Sequence, residues 1–352
     1  MREVAVVSFA QSRATADAGG VNEVEMLMPV VSEAVAASGI ERSKLGFIVS
    51  GSSDFLCGVS FSFVTALDAV GAWPPVIESH VEMDGAWALY EAWVKIQTGE
   101  VDSALIYGFG KCSQGNVDEV LSRQFDPYFV GPLWADNASV AALQARAMLD
   151  SGRISEGDMA EVVRRNHSAA IDNPNAQLSG QPTVDDLLAA PYVADPLRAH
   201  DCAPVSDGAA AIVIAAGDLA RSVCERPAWI GAIDHRVDVH GLGLRDPLEC
   251  PSARLAAEKA TAGNHAFDIA ELHAPFSHQE LILKDELGLG DDVVINPSGG
   301  TLTANPIMAA GLIRIGEAAS RVTAGSADRA LAHASSGPWL QQNLVCTLES
   351  RS

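Results

Sequence analysis

Two acids just ahead of a helix are the first residues whose types and spacing could do chemistry. The stretch His80-Val81-Glu82-Met83-Asp84-Gly85 is short and polar, and beyond it Ala88, Leu89, Ala92, Trp93 and Ile96 repeat at helical spacing. That pattern predicts a buried helix starting at about Gly85. A helix N-terminus carries partial positive charge and free amide donors, so it favours a bound anion, a reacting oxyanion or a capping carboxylate. The plainest reading makes Asp84 a cap and Glu82 a solvated first-turn acid; the alternative turns the pair toward a reactive site. The six cysteines (Cys57, Cys112, Cys202, Cys224, Cys250, Cys346) are scattered and form no CxxC, which argues against structural zinc and for buried thiols in a reducing, cytosolic compartment.

The elements that must position these groups read as alternating helices and strands. Val4–Val7 is a buried strand rather than a secretory leader, and no apolar run approaches the ~20 residues of a membrane span. Val21 to Gly39 is an amphipathic helix with Met26, Leu27, Val30, Val31, Ala34 and Val35 on one face. Phe47–Gly51, Ser103–Gly108, Ala209–Ile214 and Ala228–Ile233 read as strands, and the apolar stretch Phe55 to Trp73 as a packing surface between subunits or layers. Pro127, Pro132, Pro174, Pro182 and Pro191 punctuate helical pieces between Lys111 and Leu197, marking an inserted, mostly helical loop region able to cover a pocket. With 352 residues, 48% hydrophobic and 19% charged, the chain must bury an extensive core in two halves or one layered domain. Its net charge of −22 disfavours nucleic acid and anionic membranes as partners.

A weak internal repeat supports two related halves. Gly99-Glu100-Val101-Asp102-Ser103-Ala104-Leu105 is mirrored by Gly325-Ser326-Ala327-Asp328-Arg329-Ala330-Leu331. In each, a long small-residue helix gives way to a Gly-x-x-Asp-x-Ala-Leu turn and a strand; the second such helix is expected to begin near Asn305-Pro306 and to run to Val322.

Several stretches occur in one order: Asn166-His167 followed by Asn173-Pro174-Asn175-Ala176-Gln177; Pro204-Val205-Ser206-Asp207-Gly208-Ala209-Ala210-Ala211; Glu271-Leu272-His273-Ala274-Pro275-Phe276; and Asn296-Pro297-Ser298-Gly299-Gly300. Together they resemble the thiolase superfamily, in particular its sterol-carrier-protein-X and lipid-transfer-type branch. The resemblance spans nearly the whole chain. It implies an α/β fold of two pseudo-equivalent halves in a five-layered α/β/α/β/α sandwich. The halves would be residues 1–110, completed by 198–220, and residues 226–352, with residues 111–197 as the inserted loop domain. It also implies a dimer acting on acyl-CoA thioesters, with no cofactor beyond the CoA moiety of the substrate.

The catalytic pattern departs from that family in three places. The acyl-accepting cysteine of a working thiolase lies three residues before the glycine matching Gly85, where this chain has Glu82. A carboxylate is a poor acyl acceptor, because it would form a reactive mixed anhydride. The family's Gly-His-Pro aligns with Ala304-Asn305-Pro306, and its second cysteine, in a Cys-x-Gly turn, with Ser335-Ser336-Gly337. The groups left for chemistry are Glu82, His273 and Asn305, with Ser335 and Gly337 at the oxyanion turn and with Asp84, Gly299 and Gly300 toward the substrate. His273 falls where the family stabilises a thioester enolate, whereas His278 reads as structural.

Three activities fit. One is retro-aldol cleavage of a β-hydroxyacyl-CoA with a bulky lipid or steroid-derived acyl chain, which needs a base and an oxyanion site but no cysteine. Glu82 would be the base if burial raised its pKa. Thiolase-like steroid aldolases of actinobacteria perform such chemistry, although the tyrosines that act there have no counterpart at the corresponding positions here. The second is a non-catalytic partner of an active paralogue or of a small OB-fold/zinc-ribbon protein. The third is thiolysis or Claisen condensation at an atypical site.

Overall fold

The computed structural model describes residues 2–71 and 76–351; Trp73, at the end of the apolar stretch singled out above, lies outside them. Strands β1 (Val4–Gln11), β2 (Phe47–Gly51), β3 (Ile77–Val81), β4 (Ser103–Lys111), β7 (Asp207–Ala216), β8 (Ala228–Val237), β9 (Ile269–Glu271), β10 (Val294–Ile295), β11 (Arg329–Ser336) and β12 (Gln342–Glu349) form a ten-stranded sheet. The pair β5 (Tyr192–Ala194) and β6 (Leu197–Arg198) stands apart. The helices are α1 (Glu23–Ala37), α2 (Asp54–Cys57), α3 (Ser62–Val70), α4 (Gly85–Thr98), α5 (Val117–Ser122), α6 (Asn137–Asp150), α7 (Glu156–Ala169), α8 (Val184–Ala189), α9 (Gly217–Val223), α10 (Pro251–Thr261), α11 (Ser277–Glu286) and α12 (Ala310–Thr323).

The sheet order β10-β9-β11-β12-β8-β1-β7-β4-β2-β3 contains the duplication. If the strands of each half are counted from its own start, β1, β2, β3, β4, β7 and β8, β9, β10, β11, β12 both follow the spatial order third, second, fourth, fifth, first. Strand directions match as well. In each half the second strand is parallel to its two neighbours, and the fourth, fifth and first are successively antiparallel. Within the sheet the halves join where β1 pairs with β8, at Ala5↔Trp229 and Val6↔Ala228. The repeated glycines correspond: Gly99 and Gly325 follow α4 and α12 at φ 78° and 75°, the left-handed region where glycine costs least, and each leads into a fourth strand.

Strand alternation divides the core into layers. Val4 and Val6 face one apolar cluster with Phe47, Ile212, Leu344 and the helices α4 and α12, while Ala5 and Val7 face another with α1. A third cluster packs α10 and α11 against Ala270, Leu331 and Val345. The layers therefore run helices, half-sheet, the α4/α12 pair, half-sheet, helices, which is the thiolase-like α/β sandwich expected from the sequence.

Three elements differ from the sequence reading. His80 and Val81 belong to the edge strand β3 rather than to a polar turn; the strand Ile77-Glu78-Ser79-His80-Val81 has no buried face to give it an apolar pattern. Helix α12 begins at Ala310, later than expected, because residues 305–309 form the turn that carries Asn305 toward the site. The Phe55 to Trp73 stretch is not one packed surface: Leu56, Cys57, Ala66, Ala69 and Val70 are buried in the fold, whereas Phe55, Phe61 and Val64 are exposed.

The two central helices approach so closely that glycine is required at the junction. A Cβ on Gly311 would lie 2.6 Å from both Ala334 Cβ and Asp84 Oδ1, and one on Gly85 would lie 2.9 Å from Leu312 Cδ2. Gly311→Ala is therefore expected to overpack the centre and cost about 1–3 kcal/mol. It should show as a clear drop in melting temperature; an unchanged melt would contradict this close packing.

Candidate active site

The cavity at the centre of the molecule collects residues from both halves. Asp84 lies at the N-cap of α4, where its Oδ1 accepts from Ala86 N at 2.8 Å. The same carboxylate reaches the first turn of α12, accepting from Gly311 N at 2.8 Å and Leu312 N at 2.9 Å. One buried acid thus satisfies donors at the starts of both central helices, where the two helix dipoles add. Burial pushes its carboxyl above the ordinary aspartate range, opposed by the three amide bonds and by the charge of Arg314.

His273, just after β9, lines the same cavity with Asn305, Ser335 and Gly337. Ser335 N donates to His273 Nδ1 at 3.3 Å, so that nitrogen is the acceptor and the proton sits on Nε2. Ser335 Oγ lies 2.8 Å from Nδ1, and Nε2 is 3.3 Å from Asn305 Oδ1. Burial, reinforced by neighbouring His333, lowers the His273 pKa to about 3, so the ring is neutral at physiological pH and acts as a hydrogen-bond donor rather than a cation. Asn305 is held by its backbone N–H donating to Ser206 Oγ at 2.9 Å, which ties the turn before α12 to the start of β7.

A buried polar layer fixes these groups. Asn296 Oδ1 accepts from Leu272 N at 2.7 Å, next to His273, while Asn296 Nδ2 donates to Glu280 Oε2 at 2.6 Å. Glu280 also receives Asn166 Nδ2 at 2.9 Å and pairs with Arg165, so α7 and α11 are bound to the turn after β10. Ser298 N and Oγ donate to Glu271, which pairs with Arg314 at 2.7 Å. A buried pair of this kind is strongly destabilising to break from one side.

The structure does not bring every residue named from the sequence to this cavity. Glu82 lies outside its lining: its Oε1 accepts from Asp54 N at 2.9 Å, Oε2 is 3.3 Å from His80 Nε2, and the side chain is 48% exposed. The donors of the α2 start and of His80 hold it on the β3 side, and Asp84 is the acid of this loop that meets the cavity. Gly299 and Gly300, at φ 101° and 65°, are also absent from the lining. A Cβ at Gly299 would lie 2.6 Å from Ala170 Cβ and Thr303 Oγ1, so these glycines permit a tight turn against the end of α7. His278 is fully buried with its pKa lowered to about 3 by desolvation, in keeping with a structural role. Two further residues line the cavity: Gln279, in the first turn of α11, and Trp339, whose Nε1 donates to Val140 O at 2.7 Å. Trp339 follows directly on the aligned Ser335–Gly337 turn. Gln279 gave no signal, because its exposure depends on how α6 meets α11. No cysteine lines the cavity among the described residues.

Comparison with known proteins gives the class. No family model matches the chain. Over 345 residues it is 25% identical to an acetyl-CoA acetyltransferase of Methanothermobacter thermautotrophicus, covering 90% of each protein. Over 294 residues it is 26% identical to sterol carrier protein 2 of Gallus gallus, covering 71% of this chain and 54% of that protein, so it spans about half the length of that relative. Among solved structures, human mitochondrial 3-ketoacyl-CoA thiolase superposes with a TM-score of 0.79 at 16% identity over 99% of both chains. A chain of an Ltp2-ChsH2(DUF35) aldolase superposes with a TM-score of 0.82 at 20% identity, over 99% of this chain and 98% of that one. The chain has the fold of the thiolase superfamily and is similar in sequence to its acetyl-CoA acetyltransferases over 90% of its length. It is similar as well to the sterol-carrier-protein-type proteins, over the part of their length that it matches.

The buried histidines give this site a pH signature. His273 and His278 titrate near 3 and His333 near 4, below the ordinary value of 6.5. Between those values the unfolded chain binds more protons than the folded one, so their contribution to stability is complete above about pH 6.5 and is lost as pH falls toward 4. His278→Gln should therefore flatten the fall in melting temperature on acidification from pH 7 to 4.5. A variant melting curve with the wild-type pH slope would contradict burial of a neutral imidazole there.

Proposed function

We propose that this chain acts on a CoA thioester and cleaves a carbon–carbon bond of a β-hydroxyacyl-CoA by a retro-aldol step, working within a dimer or a heteromeric complex. The observation that carries this reading is a cavity holding a neutral imidazole donor, an amide side chain and a buried acid, with no cysteine in its lining. Such a set can stabilise an enolate and move a proton without an acyl-enzyme.

In this reading Asp84 replaces Glu82 as the base. Three amide donors occupy its carboxylate, which offers about four acceptor positions, and one remains for the substrate. Asp84 takes the proton of the β-hydroxyl, the freed oxygen pair forms a carbonyl, and the Cα–Cβ bond breaks. Its electrons pass into the thioester to give an enolate, which accepts hydrogen bonds from His273 Nε2–H and the Asn305 amide. Return of the proton to Cα releases a shortened acyl-CoA and a ketone or aldehyde, with no further reactant. Similarity to an aldolase and to an acetyl-CoA acetyltransferase supports this class of chemistry.

The partner is supported by the exposed apolar groups beside the site. Tyr128, Phe129, Leu133 and Trp134 are exposed on the segment between α5 and α6, and Phe55, Phe61, Val64 and Ile77 lie along the β3 side, whose outer edge is unpaired among the described residues. The printed name of the aldolase neighbour joins two proteins. A role as a non-catalytic partner subunit is the second reading, and what favours it is the engagement of Asp84 by two helix starts, which weakens it as a base. No helix among the described residues is long and apolar enough to cross a membrane.

The test is turnover of β-hydroxyacyl-CoA substrates by the purified protein with its co-purifying partner. Release of acetyl-CoA or propionyl-CoA is expected, and His273→Ala or Asn305→Ala should lower kcat by about 10²–10³-fold in protein that circular dichroism shows to be still folded. Release that survives both substitutions would assign the chemistry to the partner and this chain to a scaffold; free CoA consumption from a β-ketoacyl-CoA would instead point to thiolysis.

A further inference from the structure

The wall of the cavity formed by α6 and α11 carries an acceptor that nothing among the described residues satisfies. Asn137, Val140 and Ala141 of α6 face the cavity at helical spacing, and Gln144, one turn on, is fully buried behind them. Gln144 Nε2 donates to Pro247 O at 3.2 Å, which turns its Oε1 toward α11. That oxygen accepts from His278 Nε2 at 3.2 Å and from Gln279 Nε2 at 3.1 Å. The Gln279 amide is thereby fixed, its NH2 on Gln144 and its carbonyl directed the other way. Gln279 lines the cavity and is 3% exposed, and its Oε1 has no hydrogen-bond partner; neither has His278 Nδ1, which the neutral ring leaves as a second acceptor.

A buried polar atom without a partner is rare in a folded protein, and both orphans here accept rather than donate. The arrangement therefore asks for a donor, and the surroundings say from where. Phe276, Val140, Trp339 and Leu340 make this part of the cavity apolar, suited to a carbon skeleton. We propose that Gln279 is a specificity-determining residue: it accepts a hydrogen bond from a hydroxyl carried on the acyl group, remote from the thioester and from any β-hydroxyl. The substrate class is then a hydroxylated alicyclic or polycyclic acyl-CoA rather than a plain hydrocarbon one. This inference rests on the thioester reading above but not on retro-aldol cleavage. A site built to hydrogen-bond a hydroxyl discriminates against the analogue lacking it, because binding the analogue leaves the acceptor buried and unpaired.

The test is a binding measurement by calorimetry on the wild-type protein in its native complex. β-Cyclohexylpropionyl-CoA, which has no β-hydroxyl and cannot be cleaved, is compared with its isomers carrying one ring hydroxyl. At least one ring-hydroxylated isomer is expected to bind about tenfold tighter or better, as one hydrogen bond to an otherwise orphaned acceptor allows. Gln279→Met, similar in volume but without the carbonyl, should remove that preference and leave the affinity for the unsubstituted ligand and for free CoA unchanged. Equal binding of all isomers by the wild type would overturn the proposal, leaving the acceptor to an ordered water. Weaker binding of free CoA by Gln279→Met would overturn it in favour of the pantetheine amides as donors. If no acyl-CoA binds at all, the thioester reading itself fails, and the two failures are distinguishable.

Discussion

One carboxylate holds the two halves of this protein in register. Asp84 caps α4 from the first half and receives two amides from the start of α12 in the second, all within 2.9 Å. The two helices are topological equivalents and occupy the central layer, so their N-termini converge where the pseudo-symmetric halves meet. Without a buried acceptor, both helix starts would leave orphan amides inside the protein, each worth about 1–3 kcal/mol of desolvation. Gly85 and Gly311 are the local condition for this contact, because any side chain there would separate the helices. The cavity exists where it does because this junction places helix starts, the end of β9 and the turn after β11 around one space.

That constraint also shapes the chemistry. The imidazole of His273 is neutral because the same dense packing desolvates it, and its tautomer is set by Ser335. The polar layer from Arg165 and Asn166 through Glu280 and Asn296 to Leu272 N runs from α7 to the segment after β9 that bears His273. The site is preorganised by its supporting hydrogen bonds, the property on which oxyanion stabilisation depends.

Much of this was legible in the sequence. The Gly-x-x-Asp-x-Ala-Leu repeat corresponds to the ends of α4 and α12, and the matching strand order of the two halves follows from it. His273, Asn305, Ser335 and Gly337 were placed by motif, and the structure gathers them in one cavity. Position relative to Gly85 did not decide which acid faces that cavity. Glu82 was drawn away by donors contributed by Asp54 and His80, contacts created only when α2 packs beside the edge strand. The edge strand itself was hidden because neither of its faces is buried. Asp84 as a double cap was invisible for a related reason, since its second helix lies more than two hundred residues away. Gln279 was unreadable because an orphaned acceptor is defined by what its neighbours, Gln144 and His278, leave unsatisfied.

The central claim is that this thiolase-fold cavity works without an acyl-enzyme. It is tested most directly by intact-mass analysis of the protein after incubation with an acyl-CoA or a β-ketoacyl-CoA, quenched in acid. The account predicts an unchanged protein mass. A stable increase equal to the acyl group, removed by hydroxylamine and mapped to a cysteine, would contradict it.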